Sequence, residues 1–134
     1  MPVEASEVMP VRSGDDVVRV RQAVRAKAIS IGFSLVDQTK IITAASEIAR
    51  NTVDYGGGGT LCLEILHNGA RRGLRLTFAD EGPGIADIGL ALSDGYTTGH
   101  GLGLGLGGAK RLSSEFDVKS RPGEGTIVSL TRWR

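Results

Sequence analysis

Hydrophobic positions along the chain follow two periods. Val17, Val20, Val24, Ala28 and Ile31 recur at spacings of three and four, with Arg19, Arg21, Arg25 and Lys27 interleaved, which predicts an amphipathic helix. Gly14, Asp15 and Asp16 offer its polar start and Gly32 its stop. Ile41, Ala45, Ile48 and Thr52 form the stripe of a second helix, capped by Ser34 or a neighbour and ending before Gly56-Gly57-Gly58-Gly59. From Thr60 the period becomes two. Leu61, Leu63 and Ile65 alternate with Cys62, Glu64 and Leu66, the chain turns at His67-Asn68-Gly69, and Leu74, Leu76 and Phe78 alternate again, predicting a β-hairpin. Phe116, Val118 and Ser120, a turn at Pro122-Gly123-Glu124-Gly125, and Ile127, Val128 and Leu130 predict a second hairpin ending near Trp133. Val3, Val8 and Val11, accompanied by Pro2 and Pro10, suit an edge strand.

Between the hairpins the pattern predicts a short helix over 87–92 and a glycine-rich stretch leading to a segment over 105–113 that Ala109, Lys110, Arg111 and Leu112 make helix-like. The order of elements predicts one domain over residues 1–134, an α/β (α+β) two-layer sandwich. In it, helices cover one face of a mostly antiparallel mixed sheet.

Composition narrows the function. Sixteen Lys and Arg against fifteen Asp and Glu leave a net charge of +1, so no global field draws the chain to nucleic acid or acidic lipid, and any phosphate site is local. The lone Cys62 excludes an internal disulfide framework and a Cys-based zinc site. No apolar run approaches the roughly 18 residues of a membrane span, and the start of the chain lacks the marks of a signal peptide. The expectation is a cytoplasmic protein with no membrane or nucleic-acid partner. Glycine changes the picture most: there are 20, and sixteen lie between Gly56 and Gly108, where backbone must bend or approach something closely.

Gly103-x-Gly105-x-x-Gly108 matches a dinucleotide fingerprint as a string, but Ser93-Asp94-Gly95-Tyr96-Thr97-Thr98-Gly99-His100 upstream cannot be the buried strand that fingerprint needs. Lys110, followed by Arg111 rather than Ser or Thr, also fails the Walker A pattern. What remains is a long glycine loop ending at a helix start, a setting that favours an anion such as phosphate. Glu47 and Asn51 sit four apart on one helix face. Such a pair is usually a solvated surface, yet Asn can ligate Mg²⁺ beside phosphates and the carboxylate can take a proton from an attacking hydroxyl. Asp80 continues the phase of Leu74, Leu76 and Phe78, so its carboxylate points to the core side and needs a partner. It either nucleates a turn or reads a donor such as the adenine amine.

Glu47-x-x-x-Asn51, Asp80-x-Gly82-x-Gly84-Ile85, Gly101-x-Gly103-x-Gly105 and Gly125-Thr126, in this order, resemble the N box and the glycine boxes of the GHKL ATPase superfamily (gyrase, Hsp90, histidine kinase, MutL). The resemblance runs from about residue 40 to 127 and implies the Bergerat fold with ATP and Mg²⁺ as cofactors. Within the superfamily the segment Ser93 to Thr98 and the compact format look like the RsbT-type switch kinases, serine/threonine kinases that pair with STAS-domain proteins in stressosome-like modules. The resemblance therefore implies phosphorylation of a STAS-domain antagonist, followed by a switch to a downstream phosphatase or similar effector. The related anti-sigma kinases of the RsbW and SpoIIAB type, which bind a sigma factor, are the alternative, as is a module that sequesters its partner with little or no phosphotransfer. A sensor histidine kinase fits less well, because His67 falls in a hairpin turn and His100 in the glycine loop.

By the same resemblance Glu47 is the general base, Asn51 holds Mg²⁺ against the phosphates, and Asp80 bonds the adenine amine. Gly82, Gly84 and Ile85 lie under the ring, Thr126 supports Asp80 through water, and Gly101, Leu102, Gly103 and Gly105 form the lid. The chain departs from many relatives in having Asp54 three places after Asn51, where a basic residue is common. Arg50, Lys110 and Arg111 are the candidates to meet the phosphates instead.

Overall fold

The computed structural model describes residues 2–85 and 106–134. The short helix expected over 87–92 and the lid residues Gly101, Leu102, Gly103 and Gly105 lie outside the described residues. The elements are β1 (Val3–Val11), α1 (Gly14–Ser30), α2 (Leu35–Asp54), β2 (Gly59–Asn68), β3 (Arg71–Asp80), α3 (Leu106–Arg111), β4 (Glu115–Ser120) and β5 (Thr126–Trp133).

The strands form one five-stranded sheet in the order β1-β2-β3-β5-β4, with β1 at an edge, the position that suits Pro10. The sequence predicts a mostly antiparallel sheet, and all four described pairings are antiparallel. Two hairpins account for two of them. The β1–β2 pair is antiparallel because two helices, each reversing the chain, separate these strands; a single helix would have made them parallel.

Two element ends differ from the pattern. The N-cap of α1 is Ser13, whose hydroxyl accepts the Asp16 N–H while the Asp16 carboxylate accepts the Arg12 N–H, a reciprocal cap one residue upstream of the expected start. The first hairpin turns over residues 69 and 70, since Asn68 still pairs with Arg71; Gly69, at φ +61°, takes the first position of a two-residue loop. The last helix, Leu106–Arg111, lies within the segment expected to be helix-like, with Leu106 and Ala109 both buried.

Leu61, Leu63 and Ile65 of β2 pair with Phe78, Leu76 and Leu74 of β3. Beyond them, Phe78 and Leu76 pair with Val128 and Leu130 of β5. Val20, Val24 and Ala28 of α1 and Ile41, Ala45 and Ile48 of α2 close the same core. The opposite sheet face is more open: Val8 is 70% exposed and Ile127 45%. Gly32, at φ +86°, ends α1 and lets Phe33 turn back into the core, its N–H reaching Ala28 O.

One ion pair ties the layers together. From β5, Arg132 donates through Nε and Nη2 to Asp37 Oδ1 at 3.2 and 2.6 Å, and through Nη1 to Leu112 O at 2.7 Å, just past the end of α3. Asp37 also lies in the first turn of α2, where its N–H is capped by Ser34 Oγ and its charge suits the helix dipole. The hydrogen bond from Arg132 holds the Asp37 carboxyl below its ordinary range, against the opposing effect of burial.

Because the folded pKa is depressed, this stabilisation is fully present above the unfolded value of about 4 and is lost as pH falls through the lower folded value. Asp37→Ala should cost about 2 kcal/mol at pH 7 by urea unfolding. The variant should also lose less stability than the wild type between pH 4 and lower pH.

Candidate functional site

The core face of the sheet is apolar until its last row. Leu61, Phe78, Val128 and Val118 align across β2, β3, β5 and β4; two residues further along each strand the same face carries Gly59, Asp80, Thr126 and Ser120, again in register. The first of these replaces a side chain by space, and the other three are polar. Ile48, Asn51 and Thr52 from α2 and Tyr55 at its C-cap, together with Ile85 and Leu106, close a cleft over this row, whose walls include Phe78, Asp80, Thr126 and Val128. Its volume is about 20 Å³, room for one water. A purine enters only as the lining side chains part.

Asp80 is held by glycines. Gly82 N–H donates to Asp80 Oδ1 at 2.9 Å. A Cβ on Gly56 would lie 2.4 Å from Asp80 Cγ, so the loop after α2 lies directly against the carboxylate. Gly82 packs in turn on Gly56, where a Cβ would meet Gly56 Cα at 2.7 Å. Gly84, at φ +77°, lies against Arg121 O, and Gly125, at φ +80°, against Asp80 O. Close approach of backbone to backbone accounts for Gly82, Gly84 and Gly125, and close approach to the Asp80 side chain for Gly56.

Ser120 organises the other side of the row. Its Oγ accepts the Ile85 N–H at 2.8 Å, donates to Gly125 O at 2.8 Å and lies 2.9 Å from Thr126 Oγ1. Sequence reasoning passed over Ser120 and Gly56. The signal for Ser120 was available: it continues the apolar phase of Phe116 and Val118, just as Asp80 continues that of Leu76 and Phe78.

Asn51, one turn after Glu47 on α2, is part-buried, and its Nδ2 is the one buried side-chain polar atom without a hydrogen-bond partner among the described residues. An orphaned amide at a cleft wall costs free energy unless something meets it, and rotation of the amide presents its oxygen to the same spot. Among the described residues no group of three or more His, Cys, Asp or Glu could hold a metal ion. A cation at Asn51 would therefore need most of its ligands from elsewhere. Glu47 is half-buried outside the cleft lining, with Arg50 Nη1 3.4 Å from its Oε1, a long and solvent-screened pair. Arg50 thus faces Glu47, Lys110 is exposed on α3, and neither lines the cleft. Burial, then the charge of Glu64, pushes the Cys62 thiol pKa up, which lowers its thiolate fraction.

A family model described as histidine kinase-, DNA gyrase B- and HSP90-like ATPase matches residues 36–133. The chain belongs to this ATPase family. Its relatives include the serine/threonine-protein kinase RsbT of Bacillus subtilis, 44% identical over 118 residues that cover 88% of this chain and 89% of that one. The anti-sigma F factor of a Thermoanaerobacter species is 29% identical over 119 residues, covering 84% and 82%. Within the ATPase family the chain is of the RsbT/RsbW type. Solved structures share its fold. The RsbU and RsbW domains of a Mycobacterium tuberculosis protein superpose with a TM-score of 0.63 at 22% identity, over 97% of this chain and 33% of that one. The catalytic domain of the histidine kinase ThkA gives 0.55 at 14%, over 94% and 95%.

Membership implies use of ATP. Of the residues singled out for that role in this ATPase-family chain, Asn51, Asp80, Ile85 and Thr126 line one cleft. Glu47, Gly82, Gly84 and Lys110 lie outside its lining, the two glycines in the loop that supports Asp80 and Ile85. No helix among the described residues is long and apolar enough to cross a membrane.

The glycine packing is directly testable. Gly56→Ala forces a methyl against the Asp80 carboxylate and should cost about 3 kcal/mol. Gly57→Ala, at φ +74° but in open space, should cost only about 1 kcal/mol. Equal losses in urea unfolding would contradict the packing.

Proposed function

We propose that this chain is an ATP- and Mg²⁺-dependent serine/threonine protein kinase that phosphorylates a STAS-domain antagonist and then exchanges it for a downstream phosphatase or similar effector. The observation that carries the reading is the placement of Glu47 and the orphaned Asn51 amide one turn apart on α2, in a chain 44% identical to the serine/threonine-protein kinase RsbT. Magnesium-bound ATP supplies the phosphoryl group.

The chain's own residues supply position and charge, on which phosphoryl transfer chiefly depends. Asp80 offers lone pairs to a base bearing an amine, and Thr126 lies beside it in register. The Asn51 amide oxygen, a hard neutral ligand, suits Mg²⁺ shared with phosphate oxygens. In this reading Glu47, half-exposed and in only a long contact with Arg50, accepts the proton of a Ser or Thr hydroxyl brought by the partner.

A second reading has its own support. No Lys or Arg stands among the described residues lining the cleft, Asp54 occupies a position often basic, and an anti-sigma factor is among the relatives. In that reading nucleotide sets a surface that sequesters a sigma factor or phosphatase, with little transfer.

Label transfer from γ-labelled ATP with Mg²⁺ into host lysate proteins separates the two. The kinase reading expects acid-stable label on a protein that falls at least about 100-fold in Glu47→Gln, while ATP affinity stays within about threefold. Bound ATP with no transferred label would favour sequestration, and acid-labile label would favour histidine phosphorylation.

A further inference from the structure

We propose that Ser120 is a positioning residue that fixes the direction of the hydrogen bonds at the base-reading edge of the cleft, making Thr126 an acceptor toward the ligand and so selecting a 6-amino over a 6-oxo purine. This rests on the nucleotide reading above and names its specificity determinant.

Proton counting fixes the direction of each hydrogen bond around Ser120. A serine hydroxyl has one proton and two lone pairs. Ser120 Oγ has three neighbours at hydrogen-bond distance: the Ile85 N–H, Gly125 O and Thr126 Oγ1. The amide can only donate and the carbonyl can only accept. If the Ser120 proton pointed to Thr126, two oxygens would face each other at 2.8 Å with no proton between them, at a carbonyl of a buried residue. With the proton on the line to Gly125 O, Thr126 supplies its own proton to Ser120, and all three contacts are satisfied. Only this arrangement places a proton in each of the three.

The consequence falls on the cleft. Thr126 is buried and lines it, and its hydroxyl proton is committed to Ser120, so Thr126 Oγ1 turns only lone pairs toward a ligand. Asp80, its cross-strand neighbour on the same face, also presents lone pairs. Two adjacent acceptors welcome the exocyclic amine of adenine and repel the 6-oxo group of hypoxanthine or guanine. Ser120 never touches the base in this account; it acts through Thr126.

The test is the ratio of dissociation constants for ITP and ATP, measured by titration calorimetry with Mg²⁺. ITP replaces the 6-amino group by oxygen without adding the guanine 2-amino group. Ser120→Ala releases the Thr126 proton, which can then donate to the 6-oxo oxygen, and the ITP/ATP ratio should fall about threefold to tenfold. In a Thr126→Val background the same Ser120→Ala change should leave the ratio where Thr126→Val alone puts it, and Ser120→Thr, which keeps the hydroxyl, should hold the wild-type ratio within about twofold. A role confined to holding Ile85 would weaken both nucleotides alike. Should Ser120→Ala not fold, Ser120→Cys, with its weak thiol donor and acceptor, supplies the same readout and should also lower the ratio. An unchanged ratio in a variant that binds ATP overturns the assignment to Ser120 alone. A wild type that binds neither nucleotide overturns the nucleotide reading and this inference with it.

Discussion

The constraint on which the rest of the structure depends is a carboxylate placed on the core side of a hydrophobic sheet. Asp80 follows Leu74, Leu76 and Phe78 on one face of β3, where burial without partners is costly. The chain meets this by ending the apolar face one row early. Gly59, Thr126 and Ser120 stand in line with Asp80 across the neighbouring strands, and Gly56 and Gly82 bring backbone against the carboxylate where any side chain would collide. A polar row at the end of an apolar sheet is a cleft floor rather than a core defect.

Everything that reaches that floor is set by the layer above it. The period of α2 buries Ile41, Ala45 and Ile48, and the same winding carries Asn51 and Thr52 to the cleft and Glu47 to its outside. The height of α2 over the sheet is fixed at its far end by Arg132, which joins Asp37, β5 and the carbonyl after α3. At its near end Gly56 N–H and Gly58 N–H bond back to Asn51 O and Thr52 O, so the loop that packs on Asp80 is also the C-terminal cap of the helix that carries Asn51. Helix and carboxylate are thus positioned by one short glycine segment.

Much of this was legible in the sequence. The switch from a period near 3.6 to a period of two separated helices from hairpins, and Pro10 of β1 marked the edge. The residues legible as a site were those whose polarity broke a pattern: Asp80 in an apolar phase, and Asn51 on a helix otherwise stepping through the core. What stayed hidden was long-range. No local pattern links Arg132 to Asp37, 95 positions away, or shows that Gly56 faces Asp80. Ser120 broke its strand's phase in the same way as Asp80, yet its meaning lies in three partners brought together from a loop, a turn and a neighbouring strand.

The measurement that tests the central claim most directly is calorimetric binding of ATP with Mg²⁺ to the wild type and to Asp80→Asn. The substitution preserves shape and the oxygen that accepts the Gly82 N–H, but places an amide donor where the account requires an acceptor. Affinity should fall at least about thirtyfold with the unfolding transition essentially retained. An Asp80→Asn protein that folds and binds ATP as tightly as the wild type would contradict the account.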